Sequence, residues 1–132
     1  MERHRADSIE EFLDILVRSG LATEHQAKSV ATQFREVYLK SSGIPDCITA
    51  LCSFLVTSGV LTTYQCWKLR NGQWKGFYLD DFVLLDFLGK DHECSYFLAR
   101  HARDGTFVRL AITPMSRAKG PNVEYRIDHS FA

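Results

Sequence analysis

The chain has 132 residues, of which 16 are Lys or Arg and 16 are Asp or Glu, so its formal net charge is zero. This length allows one domain or two small ones. The charge balance, which also holds within each half of the chain, leaves no basic stripe and no polybasic segment. We therefore expect neither a nucleic-acid partner nor a membrane-surface partner.

The N-terminus and the cysteines indicate a compartment. Residues 1–12 lack the apolar core of a signal peptide, and no apolar run approaches the roughly 18 residues of a membrane span. We therefore expect a soluble, cytoplasmic protein. Because thiols stay reduced there, we expect every cysteine to be free. The four cysteines are Cys47, Cys52, Cys66 and Cys94.

Capping patterns mark the first two predicted helices. Ser8 and Glu11 have the spacing of a capping box, and apolar residues follow at helical spacing until Gly20. Thr23 and Gln26 form a second capping box, which predicts a long amphipathic helix. The apolar face of that helix is expected at Ala27, Val30, Ala31, Phe34, Val37 and Tyr38.

Two further helices are expected before Gly72. Asp46 can cap the third helix, in which Leu51 is one of the inward positions. The fourth helix is short, carries Trp67 and Leu69, and ends at Gly72.

The helical half contains an internal repeat. Residues 16–26 (LVRSGLATEHQ) match residues 55–65 (LVTSGVLTTYQ) at a constant offset of 39 residues, with 6 of 11 positions identical. The shared Ser-Gly closes one helix and the shared Thr-x-x-Gln caps the next. We therefore expect residues 8–72 to form a four-helix unit of two helix-turn-helix repeats.

The second half predicts a small antiparallel sheet. Three apolar runs have the length of strands and lie at residues 82–88, 94–101 and 106–113. Gly89 ends the first run, and Asp104-Gly105 joins the other two as a hairpin turn. Residues 123–127 alternate as a fourth strand. We expect residues 77–127 to form this sheet of three to four strands, which makes the fold class α+β.

The sheet is expected to pack on the helices, since only residues 73–76 separate Phe77 from the last helix. Four aromatic residues bracket this junction, namely Trp67, Trp74, Phe77 and Tyr78. We expect them to form a core that joins the two halves. The alternative is an aromatic interaction surface, because such residues are enriched at interface hot spots.

The order of the strands resembles a known family. A strand, a glycine turn, a strand, a hairpin and a strand ending in Ala111-Ile112 resembles the first three strands of the small lobe in planctomycete-type eukaryotic-like serine/threonine protein kinases. Duplicated helical hairpins like residues 16–26 and 55–65 resemble the region that precedes the catalytic domain in those kinases. The resemblance covers roughly residues 12–114.

The resemblance implies specific ATP-binding positions, most of which are replaced. In the family, a glycine-rich loop lies over the ATP phosphates and a lysine in the third strand holds them. Gly89 keeps the first glycine, but Asp91 and Cys94 occupy the second and third glycine positions, and Thr113 occupies the lysine position. Asp91 and Glu93 place negative charge where the phosphates would lie.

The H-R-D and D-F-G motifs of the family are also missing from the 132 residues. We therefore expect no phosphotransfer activity, no catalytic residue and no cofactor.

Two other chemistries were weighed for the same turn. His92, Cys94 and His101 could ligate a metal together with Asp91 or Glu93, but their spacing fits no standard zinc pattern. Cys94 beside His92 has the composition of a nucleophile and a base, but no third residue is placed to orient the histidine. We expect exposed turn residues rather than a metal site or a catalytic cysteine.

The leading functional hypothesis is a non-catalytic protein-interaction or regulatory module related to bacterial serine/threonine kinases, with a protein partner. The first alternative is a nucleotide-sensing remnant that binds ATP without hydrolysing it. The second alternative is the N-terminal part of a serine/threonine protein kinase, ranked last on the expectation that the 132 residues are the whole chain.

Overall fold

The computed structural model describes residues 8–41, 48–114 and 123–131. The chain divides into two compact units, Met1–Phe77 and Tyr78–Ala132. The described part of the first unit is helical, and that of the second is an antiparallel sheet. The protein therefore belongs to the α+β class.

The described part of the first unit contains four helices. They are α1 (Ile9–Ser19), α2 (Glu24–Ser41), α3 (Ile48–Thr57) and α4 (Thr63–Arg70). The helix α1 begins at the predicted cap, where the Ser8 hydroxyl accepts a hydrogen bond from the Glu11 amide at 3.1 Å. Asp46, the expected cap of the third helix, lies outside the described residues.

Reciprocal hydrogen bonds start α2 and α4. Thr23 Oγ1 accepts from the Gln26 amide at 3.1 Å, and Gln26 Oε1 accepts from the Thr23 amide at 2.8 Å. Thr62 and Gln65 make the same two bonds, at 3.1 and 3.0 Å. Each pair satisfies two amides that have no partner within the helix. The starts of α2 and α4 are therefore each determined by residues that lie close together in the sequence.

A glycine follows the end of α1 and of α3. Gly20 has a φ of 83° and Gly59 has a φ of 78°. Their amides donate to the carbonyl groups of Val17 and Val56, in both cases at 3.1 Å. The left-handed conformation is one that residues with a Cβ rarely adopt, so glycine is required at both turns.

The helices share one apolar core. Its largest side chains with almost no exposed surface are Phe12, Leu16, Phe34, Leu51, Leu55, Leu69 and Phe77. The ring of Phe34 packs against that of Phe54 with 5.8 Å between centroids. One expectation fails here, since Val37 is 53% exposed. Phe77 is buried in the helical core.

The second unit is a five-stranded antiparallel sheet. Its strands are β1 (Tyr78–Leu79), β2 (Phe82–Lys90), β3 (Ser95–His101), β4 (Phe107–Pro114) and β5 (Val123–Phe131). Each strand pairs with the next, so the order is β1-β2-β3-β4-β5. The expected three to four strands were too few, because β1 was not predicted. The last strand also continues beyond the expected end at residue 127.

One face of the sheet, here named the cluster face, carries its apolar core. The buried residues of this face are Phe82, Leu84, Ala99, Val108 and Leu110. The pairing of β2 with β3 slips twice, after Leu84 and after Phe87, and the pairing of β4 with β5 slips at Arg109. Such bulges bend a strand and increase its twist, so the sheet curls.

The turn between β3 and β4 contains the predicted Asp-Gly pair. Gly105 has a φ of 76°, and its amide donates to the His101 carbonyl at 2.9 Å. The Asp104 carboxylate accepts from the Thr106 amide at 2.9 Å. These bonds fix the hairpin at residues 102–106 and set the register of the two strands.

Candidate functional site

The turn between β2 and β3 holds Asp91 and Cys94, two of the positions at which a resemblance to the kinase glycine-rich loop was predicted. Gly89 lies near the end of β2 with a φ of 129°, opposite Tyr96 of β3. The Asp91 amide donates to the Cys94 carbonyl at 2.9 Å and closes the turn. Gly89 therefore precedes a tight turn of residues 91–94.

The Asp91 carboxylate is bound by this turn. Its Oδ1 accepts from the Glu93 amide at 2.9 Å and from the Cys94 amide at 2.8 Å. Its Oδ2 accepts from the Tyr96 hydroxyl at 2.7 Å. Two amides of this turn therefore have an anionic acceptor within the chain.

These bonds favour the ionised carboxylate. They hold the pKa of Asp91 below its ordinary 3.8, through the Cys94 amide first, then the Tyr96 hydroxyl and the Glu93 amide. The bond to Asp91 in turn raises the pKa of the Tyr96 hydroxyl above its ordinary 10.0. At neutral pH the turn therefore contains a fixed negative charge.

Thr113, which the sequence resemblance predicts at the kinase lysine position, lies beside this turn. Its hydroxyl is 3.3 Å from Cys94 Sγ, and either group can donate the hydrogen bond. Cys94 is 9% exposed and therefore buried. The structure thus brings Asp91, Cys94 and Thr113 together, and Gly89 leads into the same turn. Thr113 therefore places a neutral hydroxyl next to the buried Cys94 thiol.

Two arginines next to the turn are engaged by one carboxylate. The Arg109 guanidinium lies 5.7 Å from the Tyr96 ring centroid, and its Nε donates to Asp128 at 2.7 Å. Arg126 Nη1 donates to the other oxygen of Asp128 at 2.6 Å. The pKa of Asp128 is lowered, by Arg126 first and then by Arg109. The Asp128 carboxylate therefore partly neutralises the positive charge of Arg109 and Arg126 within the sheet.

The residues weighed as metal ligands are not brought together. Cys94 precedes β3 and His101 ends it, so about 23 Å of extended chain separates them. His101 Nδ1 instead lies 3.4 Å from Asp104 Oδ1, in the turn before β4. Within residues 8–41, 48–114 and 123–131, no three His, Cys, Asp or Glu side chains are placed to hold a metal ion.

The four aromatic residues of the predicted junction have different surroundings. Trp67 is 61% exposed and Tyr78 is 47% exposed, whereas Phe77 is only 1% exposed. Trp74 packs partly against the helical core, and Lys75 Nζ lies 5.0 Å from its ring centroid. Phe77 therefore cannot belong to an interaction surface, and Trp67 does not belong to a core.

An apolar row on the cluster face was not predicted from the sequence. Phe87 pairs with Phe97, Phe97 with Leu110, and Leu110 with Ile127, so the row crosses four strands. The rings of Phe87 and Phe97 are in edge contact with 5.4 Å between centroids. The ends of the row are open, since Phe87 is 43% exposed and Ile127 is 53% exposed. Only the strand register reveals this alignment.

In the part of the chain that the structure describes, no helix has the length and apolar character needed to cross a membrane. Comparisons of the chain with family models, curated proteins and solved structures found no match.

Proposed function

We propose that this chain is a non-catalytic protein-interaction module related to bacterial serine/threonine kinases, in which the ATP loop has become a closed structural turn. The observation that supports the proposal is that the Asp91 carboxylate accepts hydrogen bonds from the amides of Glu93 and Cys94. A phosphate would have to displace this carboxylate from the amides and would be repelled by its charge.

The proposed relationship rests on the order of elements. Three antiparallel strands, β2 to β4, follow a helical region in which Thr23-Gln26 and Thr62-Gln65 make the same reciprocal bonds. The offset of 39 residues between these pairs supports our interpretation of the helices as two repeats of one hairpin.

The row on the cluster face is the proposed binding surface. Its exposed ends, Phe87 and Ile127, are large apolar side chains of the kind that contribute to interface cores. The edge strand β1 has only two residues and the other edge strand, β5, contains a bulge, and both features hinder the addition of a further strand. We therefore expect the partner to be a protein segment that lays apolar side chains on the face of the sheet.

The nucleotide part of the proposal is tested by titrating the chain with ATP–Mg²⁺ while the amide resonances of residues 89–94 and Thr113 are followed. Each lost charge-assisted contact weakens binding by about 1.5–3 kcal/mol, which is roughly tenfold to a hundredfold. We expect no saturable shift below about 1 mM, because several such contacts are missing together. A saturable response below that concentration would contradict the proposal and favour the nucleotide-sensing alternative.

The interaction part is tested with a matched pair of variants. Phe87→Ser together with Ile127→Ser removes the exposed ends of the row. Phe107→Ser removes an aromatic side chain of similar exposure, 44%, from the opposite face. Affinity capture from source cells should retain one protein with the wild type and with the Phe107 variant, and lose it with the double variant. Equal capture by all three forms would exclude the row as the binding surface.

A further inference from the structure

Two cysteines of the helical unit face each other across a helix pair. Cys52 lies on α3 and Cys66 lies on α4, and both are buried, with 9% and 4% of their surface exposed. Cys66 Sγ is 3.9 Å from the Cys52 carbonyl oxygen. The Cys66 thiol therefore lies against Cys52, and the pKa of each thiol responds to the other cysteine.

The pair is reached through a surface pocket. This pocket, of about 300 Å³, is lined by residues of α3 and α4 that include Cys52, Cys66 and Arg70. Arg70 Nη1 donates to Thr49 Oγ1 at 3.0 Å. Arg70 Nε is buried and has no hydrogen-bond partner among the described residues. A guanidinium with a free buried N–H thus lines the same pocket as the two thiols.

The environment distinguishes the two thiols. The pKa of Cys52 is lowered, mainly because the Cys66 side chain hydrogen-bonds it, and Arg70 adds to the effect against the opposing effect of burial. The same hydrogen bond is the main reason that the pKa of Cys66 is raised. Cys52 is therefore the sulfur that ionises first, and the thiolate is the nucleophilic form of cysteine.

We propose that Cys52 and Cys66 are a reactive dithiol that a hydroperoxide converts into a disulfide joining α3 to α4. The Cys52 thiolate attacks the terminal peroxide oxygen, the O–O bond breaks, and the departing alkoxide or hydroxide takes up a proton. The Cys66 sulfur then attacks the resulting sulfenic acid of Cys52. An S–S bond forms, the hydroxyl leaves as water with the Cys66 proton, and the peroxide is reduced by two electrons.

The experiment uses hydrogen peroxide and the full chain carrying Cys47→Ser, which removes the cysteine nearest to Cys52 in sequence. Intact mass should fall by about 2 Da on oxidation, since two hydrogens are lost, and should return with dithiothreitol. Chymotrypsin is used for mapping because residues 41–68 contain no internal Lys or Arg. A peptide with Cys52 linked to one with Cys66 is expected. The absence of this linkage, or a linkage to Cys94, would overturn the proposal.

Single variants test the two roles. In Cys66→Ser the sulfenic acid of Cys52 cannot resolve, so dimedone should label Cys52. In Cys52→Ser, labelling of Cys66 should be at least about tenfold slower, because Cys66 is the less readily ionised thiol. Arg70→Gln should slow the labelling of Cys52 while circular dichroism stays unchanged. Equal labelling of the two cysteines in their single variants would overturn the assignment of Cys52 as the nucleophile.

Discussion

The Tyr125 hydroxyl donates a hydrogen bond of 2.5 Å to the Asp80 carboxylate, from the last strand of the sheet to the turn between the first two. The Tyr125 ring also meets the Phe82 ring in edge contact, with 6.2 Å between centroids. In a flat sheet, β2 and β5 would lie about 14 Å apart, because β3 and β4 separate them. The contacts of Tyr125 with Asp80 and Phe82 therefore show that the sheet is strongly curled.

Tyr125→Phe removes this hydrogen bond, so it should slightly lower the free energy of unfolding and change the pH dependence of that free energy. The bond to Asp80 raises the pKa of Tyr125 above its ordinary 10.0. A raised folded-state pKa means that the bond stabilises the fold below the unfolded value near 10, and that this stabilisation is lost as pH rises through the folded value. We expect a loss of less than about 1 kcal/mol near neutral pH, since the pair is largely exposed.

Urea unfolding at neutral and at strongly alkaline pH would check this expectation. The difference in the free energy of unfolding between wild type and Tyr125→Phe should shrink toward zero once the hydroxyl of the wild type is ionised. A difference that stays constant with pH would show that the ring, rather than the hydroxyl bond, accounts for the effect.

Truncation at two positions of α4 should change the free energy of unfolding by very different amounts. Leu69 has no exposed surface, so Leu69→Ala leaves a cavity and should lower the free energy of unfolding by about 2–5 kcal/mol. Trp67 is 61% exposed, so Trp67→Ala should change it by less than about 0.5 kcal/mol. Chemical denaturation measures both. A large loss for Trp67→Ala would mean that this tryptophan contacts the core in solution.

Helix geometry explains why Trp67 was not predicted to be exposed. Residues 67 and 69 are two positions apart, which places them on nearly opposite sides of a helix, so only one can face the core. The sequence contains two large apolar side chains and does not say which is inward. The starts of α1, α2 and α4 were easier to predict, because Ser8, Thr23 and Thr62 carry their capping signal within four residues.

The sheet was predicted less completely for a different reason. The three longest runs are visible as apolar strands, but β1 has two residues, too few for any periodicity, and Asp80-Asp81 resembles a solvated turn. In the turn of residues 91–94, the unusual residues Asp91 and Cys94 were visible in the sequence. The bond between Cys94 and Thr113 was not, because it joins residues 19 apart through the strand register.

The threonine caps of α2 and α4 should be worth similar amounts. Thr62→Ala removes the acceptor for the Gln65 amide, and we expect a loss of about 1 kcal/mol in the free energy of unfolding. Thr23→Ala should produce a loss of the same order at α2. Thr63→Ala, one residue into α4 and exposed, is the matched control and should stay within about 0.5 kcal/mol. Equal losses for Thr62→Ala and Thr63→Ala would contradict the capping role.

The closed turn should open in acid and should depend on the charge of Asp91. Because amide and hydroxyl donors lower the folded-state pKa of this carboxyl below 3.8, its contribution to stability is present above the unfolded value. That contribution is lost as pH falls through the lower folded value. In wild type, the amide resonances of Glu93 and Cys94 should therefore titrate together with a midpoint below 3.8.

Asp91→Asn should remove this titration and shift both resonances at neutral pH, because a neutral oxygen accepts more weakly. Glu93→Gln is the matched control, since Glu93 contributes its amide to the turn, and it should leave the titration of Cys94 in place. A midpoint at or above 3.8 in wild type would mean that the turn amides do not bind the carboxylate in solution, and the proposed closure of the loop would fail with it.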